Sequence, residues 1–237
     1  MTLTLNRFIR KAESKAKHSL QRLFPEFYHK LHFKYLDRNA WGNLDEVWTE
    51  QDVRGAKEMY SSVMLPVLQE YIPHKVKILV DIGCGIGTYS EFLKQFSDRV
   101  VAIDMMEDRI QKALELHSFD DVEYHISDSR NLEFIKSGTA DVVHMFAVLV
   151  HHNQSMKADA VREIKRILRP EGIVILLDNF HELPDGPGVM STSPHVHVPS
   201  RKWLEEAFDP LKIFGLRSQT SPATRRSWSF AGNLEAV

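Results

Sequence analysis

The chain has 237 residues, 43% of them hydrophobic and 26% charged, with a formal net charge of −2. That length suits one α/β domain plus an accessory segment, and the composition is that of an ordinary globular protein. No apolar run nears the roughly 20 residues needed to cross a bilayer, no secretory signal opens the chain, and the single cysteine, Cys84, excludes an internal disulfide and a thiolate-rich zinc site, which suits a reducing cytoplasm.

From Thr4 to Phe24 the apolar residues Leu5, Phe8, Ile9, Ala12, Ala16, Leu20, Leu23 and Phe24 recur at helical spacing, which predicts an amphipathic helix that Pro25 ends. Residues 1–38 carry nine Lys/Arg against three acids, so this segment holds +6 and the remainder −8. A basic arm of this kind suits an anionic substrate, a nucleic acid, a membrane surface or simply a solvated helix face. A second short helix with Phe27, Tyr28, Leu31 and Tyr35 follows, then a turn over 39–43. Glu50 to Tyr71 reads as a helix stopped by Ile72-Pro73.

From Val76 the pattern becomes short apolar strands alternating with helices, the signature of a parallel sheet covered on both faces. Strands are expected at 76–81, 99–103, 122–126, 140–146 and 172–178, with helices at about 88–96, 107–117 and 154–168. Arg169-Pro170-Glu171-Gly172 stops the last of these, with the glycine as its left-handed cap. After a loop rich in Pro, Gly and Ser, Ser200 caps a helix through Phe208. Two extended segments, 211–219 and 226–234, then suit an antiparallel pair at the sheet edge.

The first strand runs into Asp81-x-Gly83-x-Gly85-x-Gly87 and then a helix, which sets a backbone-only turn where open α/β sheets take ligands. A P-loop needs a Gly-Lys-Ser/Thr end that is absent here. A dinucleotide fingerprint needs a third glycine where Thr88 stands. The loop resembles that of class I S-adenosylmethionine-dependent methyltransferases, of the type 11/25-like kind that act on small molecules, at every fixed position. The resemblance covers about residues 52 to 178 well and 179 to 237 loosely.

It implies a Rossmann-like, seven-stranded, mostly parallel sheet with helices on both faces and an antiparallel last strand at the edge. Residues 1–50 would be a helical extension or lid and residues 51–237 the methyltransferase domain. It also implies S-adenosyl-L-methionine as cofactor, held around Gly83, Cys84, Gly85 and Gly87, with the Asp81 carboxylate favouring its ammonium by Coulomb attraction. Asp104, 21 residues after Gly83 at the end of the second strand, would accept the ribose hydroxyls, and Met105 would pack on the adenine. In Ser127-Asp128-Ser129 the acid would take the adenine amino group. Phe146, before Val148-Leu149-Val150-His151, resembles the family's fourth strand end. At 169–172 the family usually has a second glycine where Glu171 stands. Among the aromatics of the N-terminal part, which suit a lid or ordinary packing, Tyr60 is kept as a cofactor contact.

Methyl transfer needs alignment and exclusion of water, and a general base where the acceptor is a hydroxyl. His151 and His152 are the base candidates, since histidine titrates near neutrality. Asp178, Asn179, His181 and Glu182 lie past the fifth strand, and Arg225 and Arg226 could meet an anion, one at most facing the site. His195 and His197 alternate without a third ligand, so no metal is expected. The expected reaction is methylation of an oxygen or nitrogen on a small-molecule acceptor. The −8 outside the arm argues against nucleic acid. An RNA or protein methyltransferase and a non-catalytic cofactor-binding module are the alternatives, and the oligomeric state is not legible.

Overall fold

The computed structural model describes residues 50–117, 119–178, 197–211, 217–219, 226–228 and 231–232. The amphipathic helices expected before residue 50, and the N-terminal lid, lie outside these residues. Helix α1 (Glu50–Tyr71) has the expected bounds. Tyr60, Met64, Val67 and Leu68 recur at helical spacing and are buried, so one stripe of α1 faces the sheet.

The central sheet comprises β1 (Val76–Ile82), β2 (Ser97–Asp104), β3 (Val122–Ile126), β4 (Ala140–Phe146) and β5 (Leu168–Leu177). Helices α2 (Ser90–Leu93), α3 (Glu107–Leu116) and α4 (Gln154–Ile167) connect them, and α5 (Arg201–Phe208) follows. The five strands are parallel in the order β3-β2-β1-β4-β5. The chain winds outward from β1 through β2 to β3, then returns to place β4 on the other side of β1. That reversal opens a crevice beyond the carboxyl ends of β1 and β4.

Strand alternation sends Val80, Ile82, Val143 and Met145 into one apolar layer with Ile164 of α4 and Phe208 of α5. Leu79, Val100, Val142 and Ile175 go into the other, with Met64 of α1, Leu93 of α2 and Ile110 of α3. Both faces are therefore dry, and each fully buried Leu or Ile contributes about 1.5–3 kcal/mol.

Helices α4 and α5 start at side-chain caps. The Asn153 side chain accepts from the Met156 N–H at 3.1 Å, and the Ser200 hydroxyl accepts from the Trp203 N–H at 3.1 Å, as expected of Ser200. Most other bounds fall within two residues of the sequence expectation, and the larger differences have local causes. Helix α2 covers only Ser90–Leu93, because Val76 N–H bonds the Phe96 carbonyl and β2 already begins at Ser97. Strand β5 begins at Leu168 directly after α4, paired with Ala140 across a register shift. The segments 217–219 and 226–228, now β6 and β7, pair with each other antiparallel in a separate ribbon. The residues antiparallel to β5 are instead β8 (Ala231–Gly232).

The stop at 169–172 also works differently. The left-handed residue is Glu171, at φ +67°, whereas Gly172 is required because a Cβ there would lie 2.8 Å from Leu168 side-chain atoms. Glu171 is exposed, and a non-glycine residue in that region costs about 1–2 kcal/mol. Glu171→Gly should therefore stabilise the protein by about 0.5–1 kcal/mol after glycine's entropy is offset, a rise in Tm of about 2 °C. Thermal unfolding beside Glu171→Ala checks it, since alanine keeps the strain and should give no rise.

Candidate functional site

A cavity of about 230 Å³ opens at the crevice between β1 and β4, lined from the ends of β1, β2, β3 and β4. Its floor is the turn after β1. Gly83, Gly85 and Gly87 all take positive φ, at +77°, +58° and +75°. The Ile103 carbonyl accepts from both Gly83 N–H (2.7 Å) and Cys84 N–H (2.9 Å), which stitches the turn to the end of β2. Next to it, Asp104 accepts from Gly85 N–H at 3.0 Å through one oxygen and from Met106 N–H at 2.9 Å through the other.

Asp104 is 6% exposed and lines the cavity. Burial pushes its carboxyl above the usual range, against the opposing pull of Arg109 and the two amides. A carboxylate has about four acceptor sites, so two remain after these bonds. Gly83, Cys84, Gly85, Met105 and Phe146 also line the cavity, as expected. Cys84 stands there as a neutral thiol, because burial and then the charges of Asp81 and Asp104 push its pKa well up.

Ser127, Asp128 and Ser129 form the next wall. The Arg166 guanidinium bonds the Leu132 and Ile135 carbonyls, and Glu163 accepts from Leu132 N–H, so α4 fixes the loop that carries them. Asp128 is already held by its neighbour: the Arg130 guanidinium donates to both oxygens at 2.9 and 2.7 Å. Burial pushes this acid up, but the Arg130 hydrogen bonds and charge outweigh it and leave it below its usual value.

The two histidines divide. His151 is half-buried on a 3-10 turn (Leu149–His151) and lines the cavity. His152 is 5% exposed, with Nδ1 3.0 Å from the Val148 carbonyl and Nε2 3.0 Å from the Ser129 hydroxyl. A carbonyl only accepts, so Nδ1 carries the proton and Nε2 receives the Ser129 O–H. Burial pushes the pKa of this ring down and keeps it neutral. His152 lines the cavity too, but both its nitrogens are committed, so it braces Ser129, and the base role expected from its position would require one of these bonds to break. Asp178, 1% exposed, accepts from Val150 N–H at 3.2 Å and steadies the same turn.

Three expected cofactor residues do not line the cavity. Asp81 is buried, and its Oδ1 lies 2.7 Å from His144 Nδ1, so its partner is that imidazole. Tyr60 is fully buried with its hydroxyl 3.1 Å from His144 Nε2. At Gly87 a Cβ would stand 2.7 Å from the Tyr124 hydroxyl, so this glycine serves packing. His197 N–H bonds the Val150 carbonyl, and Arg226 lies in β7 opposite Gln219. Asn179, His181, Glu182, His195 and Arg225 lie outside the described residues. Among those described, no group of three or more His, Cys, Asp or Glu is placed to hold a metal.

The cavity also uses Thr88, Tyr89, Arg109, Ala147 and Val148. Ala147 takes φ +53° at the end of β4, strain of the kind found at functional sites. No spacing in the sequence marks these five. The donor set fits S-adenosylmethionine: a buried carboxylate with spare acceptor sites, an apolar wall at Met105 and Phe146, and no lysine cradle for a pyrophosphate. Thr88 Oγ1, buried on the cavity wall, has no partner among the described residues, as a group reserved for a ligand would be.

Residues 80–176 match the family model described as a methyltransferase domain. Over 208 residues the chain is 26% identical to a tRNA U34 carboxymethyltransferase of Aliarcobacter butzleri, covering 78% of this chain and 64% of that one. It is 27% identical over 118 residues to a ubiquinone biosynthesis O-methyltransferase of Xanthomonas campestris, 47% of this chain and 48% of that one. The chain thus spans less than two thirds of the length of the first relative and about half of the second. A solved SAM-dependent methyltransferase of Aquifex aeolicus superposes with TM-score 0.57 at 15% identity, over 78% of this chain and 98% of that one. A Pyrococcus horikoshii protein gives 0.62 at 19%, over 87% and 99%. At such identities the superpositions speak for the fold. The domain match runs from β1 to β5 across a sheet of this order, so residues 80–176 carry a methyltransferase domain.

Proposed function

We propose that this chain transfers a methyl group from S-adenosylmethionine to an oxygen or nitrogen of a small-molecule acceptor. The observation that carries the cofactor half is Asp104, a buried carboxylate on the cavity wall that also pins the glycine turn through Gly85 N–H. When bound, the cofactor supplies a methyl on an already activated sulfonium. The chain's own task is then to align the partners and exclude water. Asp104 would hold the ribose diol, Met105 and Phe146 the apolar faces, and Ser129, its O–H given to His152, would accept at the adenine end. His151, on the rim, is the group placed to take a proton from a hydroxyl acceptor.

The fuller architecture belongs to this proposal: a seven-stranded sheet whose last strand runs antiparallel at the edge, a domain over residues 51–237, and residues 1–50 as a lid. So does a cytoplasmic setting, which the lone, buried, free Cys84 favours. The relative named as a ubiquinone biosynthesis O-methyltransferase supports a small acceptor. The relative named for tRNA supports an RNA acceptor as the second reading, which the basic segment of residues 1–38 would serve. Retention of tRNA by the purified chain, falling steeply with salt, would favour it.

Calorimetry should find S-adenosylhomocysteine bound one to one; no binding sinks the assignment. The histidines then separate by substitution. His151→Ala should leave that affinity near wild type and lower kcat. His152→Ala should weaken affinity by about tenfold, because the Val148 carbonyl loses its donor and Ser129 its acceptor. Unchanged turnover in His151→Ala removes it as base.

A further inference from the structure

We propose that Tyr60, His144 and Asp81 form a buried relay that positions the glycine turn for the cofactor, with Tyr60 and His144 as positioning residues. The inference rests on the cofactor site proposed above and concerns residues that never touch the cavity. Asp81 and His144 are register partners on the parallel strands β1 and β4, so their side chains leave the sheet on the same face. His144 is 0% exposed, and Asp81 is 3% exposed. Their contact is 2.7 Å, Nδ1 to Oδ1, and Tyr60 Oη reaches Nε2 at 3.1 Å from α1.

The direction of the protons follows from the groups. Burial, then the Asp81 charge, pushes the Tyr60 phenol well up, so it keeps its proton and donates to Nε2. With Nε2 accepting, Nδ1 carries the imidazole proton and donates to Asp81. The carboxylate is thus given a fixed partner inside the core, where an unpaired one would be costly.

Asp81 stands two residues before Gly83, at the point where β1 becomes the turn. The turn has little slack: a Cβ on Gly83 would lie 2.3 Å from Val148 Cγ2, and Gly85 N–H must meet Asp104. Holding Asp81 therefore fixes where the turn begins. The same relay underlies the aromatic wall. Tyr60 stacks on Tyr89 at 4.1 Å, and Phe146 meets Tyr89 edge-on at 5.1 Å, both of these being cavity residues. Helix α1, which supplies Tyr60, is in this way coupled to the cofactor turn through hydrogen bonds as well as packing.

Tyr60→Phe keeps the ring and its stack while removing only the hydroxyl, so it isolates the relay. We expect S-adenosylhomocysteine to bind Tyr60→Phe about tenfold more weakly than wild type by calorimetry. Asp81→Asn should weaken binding at least as much, and the double variant should be no weaker than Asp81→Asn alone, since both break one chain of bonds. In wild type, the 15N signals of the His144 imidazole should shift when S-adenosylhomocysteine is added, although that ring is outside the cavity. The relay is overturned if Tyr60→Phe lowers Tm but binds as wild type does, if the two losses multiply, or if the His144 signals stay put. Should wild type itself fail to bind, the cofactor assignment falls, and the relay's role falls with it.

Discussion

Asp104→Ala should lower affinity for S-adenosylhomocysteine by more than about a hundredfold, the largest binding effect of any single substitution here. Two losses combine. The first is the pair of bonds to the ribose diol, each worth about 1.5–3 kcal/mol when made to a charged acceptor. The second is internal: Gly85 N–H and Met106 N–H lose their common acceptor, so the turn loosens before any ligand arrives. Asp104→Asn separates the two. Its carbonyl can still take one amide, but its NH2 confronts a second donor, so it should bind more weakly than wild type and more tightly than alanine. The sign of the pH effect follows from burial, which raises this carboxyl above the usual carboxylate range. The charged form is needed to accept the diol, and it is lost as pH falls through that raised pKa. Affinity should therefore begin to fall at a higher pH than an ordinary Asp, near 3.9, would dictate. Calorimetry across pH checks this; a flat acid limb down to pH 4 would refute the role of Asp104.

Asp104 was legible because its position depends on local order: a strand of apolar residues, an acid at its end, and a fixed distance from the glycines. Helix α1 was legible to the residue for the same reason, since Pro73 and the buried stripe from Tyr60 to Leu68 are neighbours in sequence. What was hidden depends on register between strands far apart. Asp81 read as a free carboxylate for an ammonium because nothing near it in sequence could claim it. The claimant, His144, is 63 residues away and becomes its neighbour only when β4 docks beside β1. His152 read as a base on position alone, and only the fold reveals Ser129 and the Val148 carbonyl at its two nitrogens. Strand β5 was placed too late because Leu168 has no strand signal of its own and is drawn into the sheet by Ala140. Glu171, in the place where the resemblance led one to expect glycine, takes the strained angle itself because Gly172 is needed for the close pass of Leu168.

Gly83→Ala should destabilise the protein by about 3 kcal/mol, against about 1 kcal/mol for Gly85→Ala. Both residues have positive φ, so the backbone cost of adding a Cβ is similar. The surroundings differ. At Gly85 nothing lies within 4 Å of the added carbon, whereas at Gly83 it would stand 2.3 Å from Val148 Cγ2. No pair of carbons tolerates that, so either the Val148 side chain leaves its place on the cavity wall or β1 and β4 part at the very point where Asp81 and His144 are joined. The clash is removable from the other side. Val148→Ala deletes Cγ2, and in the double variant the loss should fall short of the sum of the singles by about 1–2 kcal/mol. Urea unfolding of the four proteins checks this. Strict additivity would mean that the turn, and not the Val148 contact, sets the cost at Gly83. The close approach of Gly83 and Val148 would then no longer explain why this first glycine is less replaceable than the second.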